Sequence, residues 1–276
     1  MNDITLDVED LEIDLLLEAV FRRYGHDYRR YRRAPIRDRL RAVMRNAGLQ
    51  TVSALQDRVI HDPASARALL RALSERPVGL FEDADYFHAL RAAMVPLLRS
   101  YPSSRVWVAE CVSAEDVGAL SIVLAEEQLH DKTQIFATAE SEVLLEEARS
   151  GCFPRERLAE YEENYRRSGG KESLAAYCVQ EDGSAAFSGQ LRSNITWAQH
   201  SLATDASFNE FQLILCRRAL SDYGDGLRRQ VLQLFYDSMS YFGVLSVNGG
   251  AHVNAAPFVG RYAPIAEEQG LYRRVA

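Results

Sequence analysis

The strongest constraint on this chain is a change of rhythm after "PSS" at 102–104. From there, short runs rich in β-branched and aromatic residues alternate with longer helical stretches. The runs are "RVWVAE", "TQIFATA", "NITWAQH", "FQLILC" and "FGVLSVN"; the helical stretches include "AEDVGALSIVLAEEQL", "EVLLEEARSG" and "GLRRQVLQLFYDSMSY". Strand alternating with helix predicts an α/β fold with a mostly parallel, doubly wound sheet. In "VWVAECVSAED", residues 106–116, the strand runs into a turn and a helix where such folds place a ligand loop. That loop lacks glycine, which normally lets backbone approach a bound phosphate or nucleoside closely.

The first third reads as helical throughout. "LEIDLLLEAVFRRYG" stops at Gly25, and "APIRDRLRAVMRNAG" has Pro35 near its start and Gly48 past its end. "TVSALQDRVI", with Thr51 or Ser53 as cap, and "PASARALLRALSE" follow. "DADYFHALRAAMVPLLRSY" is predicted to end or kink near Pro96. These patterns predict a small all-helical N-terminal domain over 1–98 and a Rossmann-like domain over 99–276. Residues 165–190 interrupt the alternation, and a hairpin is expected around Gly183.

At 276 residues and a formal net charge of −7, general nucleic-acid binding is disfavoured. No apolar run approaches the roughly 18 residues of a membrane span. The acidic start "MNDITLDVEDLEIDLL" does not read as a signal peptide, so a cytoplasmic location without membrane insertion is expected. Cys111, Cys152, Cys178 and Cys216 are scattered without metal-ligand spacing, and no metal is expected. Cys216, Trp107 and Trp197 fall in predicted strands and read as core. Between Arg22 and Arg45 the chain carries ten arginines against two aspartates. That run is either a solvated helix face or a docking surface.

An Arg-rich helical domain joined to a Rossmann-like one resembles the CheR family of chemotaxis methyltransferases. The resemblance is carried by "FRRYGHDYRRYRRAPIRDRL", "FEDADYFHALRAAMVPLLRSYPS", "LEEARSGCFPRERLAEY", "FNEFQLILCRRAL" and "LYRRV". It implies an S-adenosylmethionine methyltransferase fold and transfer of a methyl group to receptor glutamates. It also implies where the ligand would sit. The family's AGCSTGEE loop stands here as "AECVSAED", with Glu110 and Ala114 for both glycines and Val112 for a serine. Glu115 and Asp116 keep the acidic pair that holds the ligand's amino group. The ribose-binding ATDI becomes "ATAE", with Ala139 for the aspartate and Glu140 one place later. CRNVLIYF becomes "CRRALSDY", so that Arg218 replaces an asparagine and Asp222 the tyrosine beside the methyl group, with Tyr223 adjacent. The adenine-side pattern survives as His200 and Ser201 in "QHSL". Glu82 stands for the catalytic arginine, and the late HSE-like motif is "NGGA".

A micromolar ligand has about −8.2 kcal/mol of binding free energy. Losing the ribose carboxylate, gaining Glu110 and losing the glycines is expected to remove about 5 kcal/mol of it. The expectation is therefore a degenerate CheR-like protein with a vestigial pocket and no cofactor. It would act as a scaffold or regulator in chemotaxis-type signalling, bound to a response regulator, sensor kinase or receptor through Arg29, Arg30, Arg32, Arg33 and Arg37. The alternative is an active protein-glutamate methyltransferase that binds S-adenosylmethionine or S-adenosylhomocysteine in a pocket rebuilt with Glu140, Asp222 and Tyr223. A third possibility is an acidic pocket of Glu82, Glu110 and Asp222 that takes a cationic ligand.

Overall fold

The computed structural model describes residues 7–76, 79–181, 183–247, 253 and 257–276. They divide into two compact units, the first running up to Glu75 with Asp222–Arg229 added, the second spanning Arg76–Ser221 and Gln230–Ala276.

The first unit contains α1 (Val8–Tyr24), α2 (Arg33–Ala47), α3 (Val52–His61) and α4 (Pro63–Ser74). Gly25 and Gly48 close α1 and α2 in the left-handed conformation their sequence positions predict. The Thr51 hydroxyl accepts the Ala54 N–H and so caps α3. Asp62 caps α4 through the Ala64 and Ser65 N–H groups. Ile13, Leu16, Val20, Ile36, Leu40, Leu55 and Leu69 form the core. The segment Asp222–Arg229 is stitched to this unit by main chain: Arg32 N–H donates to Asp222 O, and Gly224 N–H to Arg30 O.

The second unit holds α5 (Ala84–Arg99), β1 (Ser104–Ala109), α6 (Ala114–Glu126), β2 (Thr133–Ala139), α7 (Glu142–Ser150) and β3 (Cys152–Pro154). It continues with α8 (Leu158–Arg167), β4 (Cys178–Glu181), β5 (Ser184–Phe187), β6 (Ile195–Gln199) and β7 (Phe211–Cys216). After α9 (Asp225–Asp237) come β8 (Met239–Val247), β9 (Tyr262–Ala266) and β10 (Leu271–Arg274). The seven-stranded sheet runs β6-β2-β1-β7-β8-β10-β9. β1 pairs in parallel with β2 and β7, as do β2 with β6 and β7 with β8, while β10 is antiparallel to both its neighbours. All five predicted strands are present, and Trp107 is fully buried with its indole N–H on Thr138 Oγ1 at 2.8 Å.

One expectation changes. The break at 98/99 moves to 75/76, because α5 places Tyr86, Phe87, Leu90, Met94 and Leu98 in the core of the second unit. Pro96 lies in the last turn of α5, which ends close beyond it at Arg99. The interruption at 165–190 resolves into a small antiparallel sheet, β3-β5-β4. Its hairpin closes between Glu181 and Ser184, with Gly183 at φ +80°; Asp182 lies outside the described residues. Phe187 of β5 lies over Gly118 of α6 so closely that an added Cβ would come within 2.4 Å of the ring.

Candidate functional site

The parallel strands β1 and β7 end together, as the switch between neighbouring crossovers dictates, and a cavity opens beyond them. It holds about 50 Å³ of free space and is lined by Arg76, Tyr86, Val108, Glu110, Val112, Glu115, Asp116, Arg217 and Arg218 among others. The loop "AECVSAED" therefore forms a pocket wall, as its position predicts.

Glu110 leaves β1 with φ +56°, in the left-handed region glycine adopts freely and a larger side chain occupies at a cost. Its carboxylate faces Arg76, 3.9 Å away, and both side chains are more than nine-tenths buried. Arg76 escaped the sequence reading. It lies in no motif, and the only available signal was a lone arginine beside an apolar stretch. Its presence corrects the expectation of an unpaired like charge at Glu110.

Ser113 caps α6 by accepting the Asp116 N–H. Asp116 pairs with Arg218 at 2.7 Å, and burial, opposed by that guanidinium, holds its carboxyl above the ordinary value. The Tyr161 hydroxyl of α8 donates to Glu115 at 2.6 Å, which burial and this carboxylate reflect in a raised Tyr161 pKa. Arg217 lies 3.5 Å from the Tyr86 ring centroid and binds Asp83. Three arginines, Arg76, Arg217 and Arg218, thus balance Glu110, Glu115 and Asp116 around the cavity. The expected acidic pocket for a cation is not what the lining provides. Glu82 is exposed and accepts the Gly79 N–H, turning its charge to a local backbone role.

At the end of β2 the environment differs. Ala139 is fully buried in an apolar cluster with Val112, Leu144 and Leu145, against which Trp197 packs. Glu140 is buried, and its carbonyl accepts from Gln199 Nε2. At the end of β6, the His200 N–H continues the ladder to Ala139 O, and its ring meets Trp107 edge-on. His200 Nδ1 and Ser201 Oγ are both buried and have no hydrogen-bond partner among the described residues. Cys216, at the end of β7, has its thiol pushed up to about 12 by burial and is inert as a nucleophile. Among the described residues no group of His, Cys, Asp and Glu is arranged to hold a metal.

Asp222 and Tyr223 belong to the helical unit instead. Asp222 binds Arg39 at 2.7 Å, and Tyr223 packs edge-on against Tyr31. The arginine run is also partly engaged within that unit. Arg29 pairs with Asp27 and Glu18, Arg33 with Asp14, and Arg37 with Glu9 and Asp10. Arg30 and Arg32 are exposed. The late motif "NGGA", at 248–251, lies outside the described residues.

Residues 11–74 match the family model for the CheR methyltransferase all-alpha domain, and residues 78–257 match that for the CheR methyltransferase SAM binding domain. The chain belongs to the CheR methyltransferase family. A Pseudomonas putida protein named "Putative methyltransferase Cher3" is 39% identical over 96% of this chain and 97% of its own length. The chemotaxis protein methyltransferase of Listeria innocua is 24% identical, covering 89% and 92% of the two chains. The solved N-methyltransferase NodS of Bradyrhizobium japonicum, in complex with S-adenosylhomocysteine, is 14% identical over 70% of each chain; its TM-score of 0.34 is too low to bear on the site. Nothing in these matches marks the chain as a degenerate member, contrary to the expectation from its motifs.

S-adenosylmethionine is the donor that a SAM-binding CheR domain implies, and its fit here is uneven. Arg76 suits its carboxylate and the Glu115–Asp116 pair its ammonium, while His200 and Ser201, on the family's adenine side, lie outside the lining of the cavity with His200 Nδ1 and Ser201 Oγ buried. The family's ribose-binding position is Ala139, buried in its apolar cluster with no carboxylate to offer the ribose hydroxyls. With Glu110 facing Arg76, the like-charge cost falls away, and the loss that remains is about 1.5–3 kcal/mol for the missing ribose carboxylate together with that of the missing glycines.

Proposed function

We propose that this chain is a CheR-type, S-adenosylmethionine-dependent methyltransferase of glutamyl carboxylates on chemoreceptor-like proteins, with a pocket rebuilt around Arg76. The reading rests on one observation, the buried Arg76 guanidinium opposite Glu110 in the cavity beyond β1. It restores a positive charge to a pocket whose family arginine position is taken by Glu82. When bound, the donor supplies an electrophilic methyl group. The chain's own residues orient its amino-acid end, with Arg76 on one side and Glu115, held by Tyr161, on the other. Family membership over both domains supports the receptor-type substrate, and the exposed Arg30 and Arg32 suit its acidic methylation region. The pairs holding Arg29, Arg33 and Arg37 are partly exposed, where solvent screens an ion pair, so acidic partners compete with them readily. No described helix is long and apolar enough to cross a membrane.

A second reading, a pocket that no longer transfers methyl groups and a protein that works by docking alone, is favoured by the apolar cluster around Ala139. Calorimetry with S-adenosylhomocysteine separates the two. Binding below millimolar ligand supports the first, as expected when a micromolar ligand has lost one carboxylate contact and the close approach that the glycines give. Silence at millimolar ligand sinks it, and capture of a receptor fragment that is lost in Arg30→Glu/Arg32→Glu then supports docking.

A further inference from the structure

Building on the methyltransferase reading, we infer that Tyr161 is a positioning residue for the donor's ammonium group, acting through Glu115 and braced by the small sheet β3-β5-β4. The two acids in the first turn of α6 are held differently. Asp116 is bound by a charged donor, Arg218, and by the Ser113 hydroxyl. Among the described residues the Glu115 carboxylate accepts one hydrogen bond, on Oε1, from the neutral Tyr161 hydroxyl. The Arg157 guanidinium stands 3.9 Å from the same oxygen, with its centre 4.6 Å from the Tyr161 ring. A neutral hydroxyl orients a carboxylate without cancelling its charge. Glu115, which lines the cavity, therefore keeps more attraction for a cation than Asp116, which Arg218 neutralises. Holding the glutamate in advance also spares a ligand the cost of ordering a flexible side chain.

Tyr161 is itself held from the small sheet. It is fully buried, its ring centroid lies 5.5 Å from that of Phe153 in β3, and Phe153 lies 5.0 Å from Phe187 in β5. Phe187 presses on Gly118, one turn along α6 from Glu115. The contacts thus start and end on α6: the small sheet grips the helix at Gly118 and sets Glu115 through Tyr161. Tyr165, one turn further along α8, donates to Glu126 at the other end of α6, outside the cavity lining. Two tyrosines of one helix make the same kind of bond to two glutamates of another, and only Glu115 of the two faces the cavity. Tyr165 is therefore a built-in control for Tyr161.

Calorimetry on the full-length chain compares wild type, Tyr161→Phe and Tyr165→Phe. The probes are S-adenosylhomocysteine and methylthioadenosine, which lacks the amino-acid end. Tyr161→Phe is expected to weaken S-adenosylhomocysteine roughly fivefold to tenfold and to move methylthioadenosine by less than about twofold. Tyr165→Phe removes an equivalent bond, so a similar loss of urea stability is expected with both probes unchanged. Where Glu115 is already replaced by Gln, adding Tyr161→Phe should change S-adenosylhomocysteine binding by less than about twofold, since the carboxylate it positions is gone. Equal weakening of both probes by Tyr161→Phe overturns the proposal. So does an equal effect of Tyr165→Phe, or a loss that survives Glu115→Gln, since the hydroxyl is then a structural bond alone. If Tyr161→Phe does not fold, Phe153→Leu reads the same contrast, keeping the hydroxyl and loosening its brace.

The outcomes also separate this inference from the reading beneath it. Wild type that binds S-adenosylhomocysteine and ignores Tyr161→Phe leaves methyl transfer standing and removes the role of Tyr161 alone. Wild type that is silent at millimolar S-adenosylhomocysteine removes the methyltransferase reading and this inference with it.

Discussion

Beyond β1 the cavity wall is built of charges in pairs; beyond β2, on the adjacent strand, lies a wall of alanine, valine and two leucines, of which Val112 reaches the cavity lining. Both walls are buried, so the difference lies in how each answers desolvation. At the β1 end every carboxylate lining the cavity meets a donor: Glu110 faces Arg76, Asp116 binds Arg218, and Glu115 accepts from Tyr161. At the β2 end the carboxylate is simply absent, and Ala139 closes against Val112, Leu144 and Leu145. The charged end can exchange one partner for another. The apolar end has nothing to exchange, and admitting a polar ligand there means parting side chains that already pack.

Placing a carboxylate in the apolar wall breaks this contrast most sharply. Ala139→Asp should cost about 2–4 kcal/mol, the penalty of an unpaired buried acid. Denaturant unfolding reads that loss, and added S-adenosylhomocysteine should recover part of it if ribose hydroxyls reach the new carboxylate. A loss below about 0.5 kcal/mol would mean the wall is more open than its packing indicates.

The charged wall is probed next through Arg218→Gln. A carboxyl whose folded pKa is raised binds more protons in the native than in the unfolded state between its ordinary and its raised value. Its cost is therefore absent below the ordinary value of 3.8 and complete above the raised one. Removing Arg218 takes away the guanidinium that opposes burial and enlarges the penalty. The variant should lose about 1–2 kcal/mol near neutral pH and regain much of it as pH falls toward 4. A deficit independent of pH would show that Arg218 acts by packing alone. The smallest effect is expected from Tyr161→Phe, which removes one hydrogen bond to Glu115 and should cost about 1 kcal/mol by urea unfolding.

The β1 end shows where sequence reasoning reaches its limit. The short β-branched and apolar runs "RVWVA" and "FQLILC" made both strands legible, because central strands of a parallel sheet are buried on both faces, as nearly every position of these two is. Thr51 was legible as a cap for the same local reason. Arg76 was not, since its meaning depends on Glu110, far along the chain and brought near only by the fold. Asp222 went astray in the opposite direction. Its motif position pointed to a pocket, whereas its main chain and its bond to Arg39 tie it to the helical unit. The arginine run looked like a bare cationic surface because its neighbours in sequence are arginines. Its neighbours in space include the acids of α1, one helix earlier.

The return of Asp222–Arg229 to the helical unit bears on how such a chain can be divided. A fragment ending at Glu75 leaves Arg39 without its buried carboxylate, Tyr31 without the ring of Tyr223, and the Arg30 carbonyl without the Gly224 N–H. The helical unit is thus discontinuous in the gene, and a single crossover between two relatives cannot transplant it whole. Exchange at 75/76 keeps a working unit only if 222–229 travels with it, which ties the evolution of the two segments together.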